Sequence, residues 1–286
     1  MNKRKKNIST DSIPSSLLKF ISILQKVSTK LTVKFATKLF GSPIKYKIPK
    51  REFFMDKNSK QELFYIPKIK KQIMVYQYGE GIKKVLLVHG WSGRGTQLVK
   101  IADKLLELGY STISFDAPAH GKSPGKNTLM PEFIESILEL DRKFGPFEYA
   151  IGHSLGSMSI LNAIKNGLQV RKLVIIGSGD SVNDILKDFV SKLKLKPIIA
   201  EKMRNLFEKK HNINMESFSS NVAARNIDVP TLIIHDKNDI DVPYTASRNI
   251  HLHLKNSQLI TTEGLGHRKI LGDEKVIQEI ESFLLN

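Results

Sequence analysis

The sequence predicts an α/β fold: a mainly parallel, doubly wound sheet of about eight strands with flanking helices, a small helical cap and a basic N-terminal helix. Three observations carry that expectation. Short apolar runs alternate regularly with stretches of helical spacing. Runs such as "KVLLVHG" (84–90) are apolar without interruption, as strands buried on both faces are. Finally, His89, Asp116, Ser154, Asp236, Asp239 and the loop carrying His267 all follow directly after a strand. Ligands of open parallel sheets sit beyond the carboxyl ends of the strands, so these residues mark one functional edge.

The elements follow in order. "ELFYI" (62–66) and "QIMVYQY" (72–78) are short runs rich in aromatic and β-branched residues, hence strands. "KVLLVHG" is the third strand, and "GTQLVKIADKLLELGY" (95–110) has helical spacing closed by Gly109. "STISFDAP" (111–118) is a strand. "PEFIESILELDRKFG" (131–145) is a helix with Pro131 in its first turn and Gly145 just past its end. "FEYAIGHS" (147–154) leads into the helix "LGSMSILNAIKNG" (155–167). "KLVIIGS" (172–178), "TLIIHD" (231–236) and "SQLITTEG" (257–264) complete the strands, and "EKVIQEIESFLLN" (274–286) is a closing helix.

Residues 181–226 interrupt the alternation with two or three helices ("VNDILKDFVSKL", "IIAEKMRNLFEKK"). A crossover needs far fewer residues, so this insertion is expected to form a cap on residues 51–286, the main domain.

Composition narrows the function. The chain has 286 residues, a net charge of +17 and no cysteine. One sizeable core is expected, with no disulfide framework and no thiolate metal site. The charge is lopsided: residues 1–50 hold 12 Lys and Arg against Asp11 alone. Residues 1–16 are polar and basic, with the composition of a disordered tail. In "LLKFISILQKVSTKLTVKFATKLF" (17–40), apolar residues recur every three or four positions between Lys19, Lys26, Lys30, Lys34 and Lys38. That spacing gives a basic amphipathic helix, broken near Ser28-Thr29. Two fates are open to it: docking of its apolar face on the main domain, or peripheral contact of residues 1–40 with an anionic membrane. Lys19, Gln25 and Lys26 interrupt the apolar region, which disfavours a secretory signal. The location expected is therefore cytoplasmic, with any membrane contact on the inner face. No nucleic-acid partner is expected, because the basic run lacks interleaved aromatics. No cofactor and no metal are expected either: there is no phosphate-cradling loop, dinucleotide fingerprint or His-x-x-x-His pair.

Ser154 sits in "GHSLG" (152–156) between a strand and a helix. Together with "LLVHGW" (86–91), "FDAPAHGKS" (115–123), "HDKNDIDVP" (235–243) and "GLGH" (264–267), this segment resembles the α/β-hydrolase superfamily, in its esterase, acylglycerol-lipase and serine-aminopeptidase-like branch. The resemblance covers most of residues 62–286. It implies a catalytic triad in the order Ser154, Asp239, His267. Asp236, Asp241 and Asp180 stand as alternatives for the acid. The backbone N–H groups of Trp91 and Leu155 are implied as the oxyanion hole, and the Trp91 side chain as either pocket wall or core. His89, His153, Asp116 and His120 are expected to shape loops, with substrate contact by Ser123 as an alternative only, and His251 and His253, in a predicted helix, to be ordinary surface residues. The reaction implied is cleavage of a carboxylic ester or thioester of a small-molecule acyl substrate through an acyl-enzyme. An aminopeptidase-like hydrolase, whose cap acids would bind the substrate amine, and a non-catalytic ligand sensor are the alternatives. Relatives that open epoxides or carbon–halogen bonds use Asp where this chain has Ser154.

Overall fold

Eight strands run through the chain in the computed structural model, which describes residues 13–286: β1 (Lys60–Ile66), β2 (Lys71–Tyr78), β3 (Lys84–Val88), β4 (Ser111–Asp116), β5 (Phe147–His153), β6 (Lys172–Ile176), β7 (Thr231–Asp236) and β8 (Ser257–Thr262). They form one sheet in the order β1-β2-β4-β3-β5-β6-β7-β8. β1 and β2 are antiparallel to their neighbours; every other pairing is parallel.

The uninterrupted apolar character of β3 has the expected cause. Leu86 and Val88 face a core shared with helices Met130–Phe144 and Leu155–Lys165. Val85 and Leu87 face a second core built with helices Val99–Glu107 and Glu274–Leu285. All four side chains are buried. Burial of each contributes on the order of 2 kcal/mol, so both faces of the sheet are strongly held.

The strand order reverses at β3, which lies between β4 and β5. One connection leaves β3 toward β4, and the chain later returns on the other side as β5. The helices that follow β3 and β5 therefore pack on opposite faces of the sheet. The register pairs Val88 with Gly152, so His89 and His153 end neighbouring strands at the same level.

By backbone contacts the described residues fall into two compact units. One comprises Gly41–Val182 and Glu216–Asn286 and contains the whole sheet. The other is helical: the residues up to Phe40 join Asn183–Met215. Its first helix, α1 (Ser15–Val27), starts two residues earlier than the sequence spacing indicates. Ser28, in an extended conformation, separates it from α2 (Thr29–Phe40). The expectation for residues 1–12 lies outside the described residues. α2 buries Thr32, Val33 and Ala36. Its last residue, Phe40, packs ring against ring with Phe189 and Phe207, at 5.1 and 5.9 Å between centroids. Leader and insertion thus share one helical core. Of the 181–226 stretch, the part from Glu216 onward belongs with the sheet.

Candidate active site

Ser154 is the N-cap of helix Leu155–Lys165 and has φ 53° and ψ −121°. A side chain rarely adopts such a backbone, and holding it there costs on the order of 1–3 kcal/mol. The turn is possible because two glycines let backbone approach backbone. A Cβ on Gly156 would stand 2.3 Å from the Val88 carbonyl oxygen, and one on Gly152 would stand 2.7 Å from the Ser157 nitrogen. The Ser154 N–H donates to the Ile176 carbonyl at 2.8 Å, which ties the turn to the end of β6.

His267 lies on a short helical turn after β8 (Gly266–Lys269) and approaches from the β6 side: its Nδ1 is 3.2 Å from where a Gly177 Cβ would be. His267 Nδ1 bonds Asp239 Oδ2 at 2.7 Å, and the Asp239 side chain is 1% exposed. The other Asp239 oxygen, Oδ1, accepts the backbone N–H groups of Asp241 and Val242 at 2.8 and 3.0 Å. Burial, the largest influence, opposes charge on Asp239. Hydrogen bonds from His235 and His267, the charge of His267 and the Val242 N–H overcome it and hold the carboxyl well below its usual range. Asp239 is therefore an anion that accepts the hydrogen bond of His267 Nδ1.

The alternative acids are engaged elsewhere. Asp236 takes the Asn238 N–H, the Thr262 hydroxyl and the Leu265 N–H, so it clamps the loop that carries His267. Asp180 accepts from Asn249 at 2.7 Å, and Asp241 contributes its backbone to Asp239.

Two segments meet around Ser154: the loop after β3 and the start of helix Leu155–Lys165. A Cβ on Gly90 would be 2.9 Å from the Ser154 Cβ, which puts the loop after β3 directly against the turn. Ser92 has φ 56° and donates its N–H to His120 Nε2 at 3.0 Å, so that loop is pinned beside Trp91. His89 Nε2 accepts from the Ala117 N–H, also at 3.0 Å. Both imidazoles act as acceptors and stay neutral: burial pushes His89 down to about 4 and His120 down to about 3. Among the described residues, neither the Trp91 nor the Leu155 backbone N–H has a hydrogen-bond partner. Trp91 is 36% exposed and edge-on to His120, hence not a core side chain.

For Ser123 the structure sets aside the alternative of substrate contact. The residue is fully buried, donates to the Asp116 carbonyl and accepts from Met74 N–H, so it braces the loop and has no face for a substrate. Asp116 organises the same loop by accepting from Gly95 N–H, Lys122 N–H and the Tyr76 hydroxyl. His251 and His253 make local bonds to Ser257 and Asn249.

Sequence spacing missed His235. As the penultimate residue of β7 it reads as part of an apolar run. In space its Nε2 faces the Val242 carbonyl at 3.0 Å and Asp239 Oδ2 at 3.3 Å, while Nδ1 meets Ser247 Oγ at 2.6 Å. Only the turn after β7 creates that contact, so no linear signal announces it.

Comparison with known proteins agrees with this architecture. The family model described as alpha/beta hydrolase fold matches residues 83–222, and the one described as TAP-like protein matches residues 212–286. The chain belongs to the α/β-hydrolase superfamily. Among solved structures, an esterase from Exiguobacterium antarcticum is 22% identical over 76% of this chain and 97% of its own, with a TM-score of 0.61. A monoacylglycerol lipase from Paleococcus ferrophilus is 19% identical over 74% and 98%, with a TM-score of 0.59. A bromoperoxidase from Bacillus anthracis is 19% identical over 79% and 99%, with a TM-score of 0.61. At these identities the likeness is one of fold. No curated protein matches the chain.

Proposed function

We propose that the chain is a serine hydrolase that cleaves a carboxylic ester or thioester through an acyl-enzyme. The observation that carries this reading is the 2.7 Å Asp239–His267 bond on the same sheet edge as a serine forced to positive φ. In the reaction, Ser154 Oγ attacks the carbonyl carbon while His267 Nε2 accepts the hydroxyl proton. The resulting imidazolium is stabilised by Asp239. Negative charge gathers on the former carbonyl oxygen, and the Trp91 and Leu155 N–H groups are assigned as its donors. Collapse breaks the bond to the leaving alcohol or thiol, which takes the proton from His267. Water, deprotonated by the same imidazole, then releases the acid and restores Ser154. Among the described residues the Ser154 hydroxyl has no hydrogen-bond partner; in free enzymes the serine–histidine bond is commonly long and tightens on substrate binding.

An aminopeptidase-like reaction would need a free acid in the insertion for the substrate amine. There, Asp184 and Asp188 pair with Lys187 and Lys192 on their own helix, and Glu208 accepts the Met215 N–H.

The test is labelling with a fluorophosphonate, followed by hydrolysis of esters of graded chain length, thioesters and aminoacyl arylamides with Ser154→Ala as blank. Covalent labelling of wild type alone is expected, with ester or thioester turnover. Wild type as resistant to the probe as Ser154→Ala would overturn the assignment.

A further inference from the structure

The leader carries a surface that its own helical unit does not use. α1 turns Ile21 inward, and on the same side Gln25 Oε1 accepts the Lys196 N–H at 2.7 Å. Its other side displays Phe20, Ile23 and Val27, which are 51%, 64% and 73% exposed. Spaced i, i+3 and i+7, the three form one apolar line. Lys19 and Lys26, also seven residues apart, run beside it. The Phe20 ring meets Phe35 of α2 edge-on at 5.3 Å, so both helices present the surface together. α2 adds exposed Leu31 with Lys30 and Lys34.

Charge makes this surface selective. Residues 13–40 contain no Asp or Glu. Among the described residues, Lys19, Lys26, Lys30 and Lys34 form no ion pair, whereas the insertion's Lys187 and Lys192 do. A helix that merely faces water mixes both signs and hides its large apolar residues. Here an apolar line lies beside cations alone. A second copy of the same face would set lysines against lysines, which disfavours self-association.

We propose that the outer face of α1 and α2 docks on an anionic lipid surface. Phe20, Ile23 and Val27 enter the boundary between headgroups and acyl chains. Lys19, Lys26, Lys30 and Lys34 lay their stems along it and put their ammonium groups against lipid phosphates. No helix among the described residues is long and apolar enough to cross a membrane, so the contact is peripheral. The inference is independent of the proposed chemistry.

The experiment is flotation of the full-length protein with vesicles of phosphatidylcholine alone or mixed with phosphatidylglycerol, at low and high salt. Two variants accompany it, Phe20→Ser/Ile23→Ser/Val27→Ser and Lys19→Gln/Lys26→Gln/Lys30→Gln/Lys34→Gln, with circular dichroism melts as the check on folding. Wild type is expected to bind the anionic vesicles at least about tenfold more tightly than the neutral ones, with loss at high salt. Both folded variants are expected to lose that preference. Equal binding to the two vesicle types, or folded variants that bind like wild type, would overturn the proposal. So would a sedimentation change from dimer to monomer in the serine variant without lipid, which would mark the face as a self-contact.

Discussion

His153 donates its Nε2–H to the backbone carbonyl of His267 at 2.8 Å, with the two rings 4.6 Å apart. The residue next to Ser154 thereby holds the main chain of His267. Burial and the neighbouring His267 keep the His153 pKa well below its ordinary value, so it remains a neutral donor. His153→Ala is expected to lower kcat about tenfold, since small displacements of a catalytic group are costly, while KM changes little. His153→Gln, which can still donate, should recover part of that loss. An unchanged kcat in the alanine variant would show that the strut does not position His267.

The two aspartates after β7 should fail differently. Asp239→Asn loses the anion that selects the His267 tautomer, and kcat is expected to fall by about 10⁴. Asp236→Asn should chiefly lower the melting temperature, because the Thr262 and Leu265 donors lose a charged acceptor. Melts and steady-state rates on both variants separate the roles; a kcat loss larger in Asp236→Asn would reverse the assignment.

Strain at the serine predicts opposite effects on activity and stability. Ser154→Gly should abolish turnover yet raise stability by about 1 kcal/mol or more, since glycine adopts φ 53° freely. Gly156→Ala should do the reverse of a gain. Its Cβ would meet the Val88 and His89 carbonyls at 2.3 and 2.6 Å, and a cost of about 3 kcal/mol is expected from forcing two backbones apart. Denaturant titrations measure both, and a stable Gly156→Ala protein would disprove the close approach.

Acid should destabilise the fold through buried histidines. His89, His120 and His153 all have pKa values lowered by burial, the first two to about 4 and about 3. Below the unfolded value of about 6.5 the unfolded chain takes up protons that the folded chain refuses. Their contribution is thus full above that pH and is lost as pH falls toward the folded values. Each histidine adds a slope of up to about 1.4 kcal/mol per pH unit. Melting temperatures should drop between pH 7 and 5, and less steeply in His120→Gln. A flat profile would contradict neutral burial of these rings.

Linear order alone carried the sheet, the crossover helices and the set of polar residues that follow its strands at one edge. A strand buried on both faces must be apolar throughout, and a serine on a crowded turn must have glycines beside it; both constraints are local and leave a mark in the chain. The pairing of Asp239 with His267, and not Asp236, Asp241 or Asp180, was legible only as a matter of spacing. Folding settled the geometry, because Asp236 spends its oxygens on the β8 loop. His235 against Asp239, His153 beneath His267 and the full burial of Ser123 left no such mark, since each arises from strands that meet only in the folded sheet. The leader shows the same division. Its spacing announced an amphipathic helix, but which of its apolar residues would be covered depended on where α1 met its neighbours, a property of packing and not of periodicity.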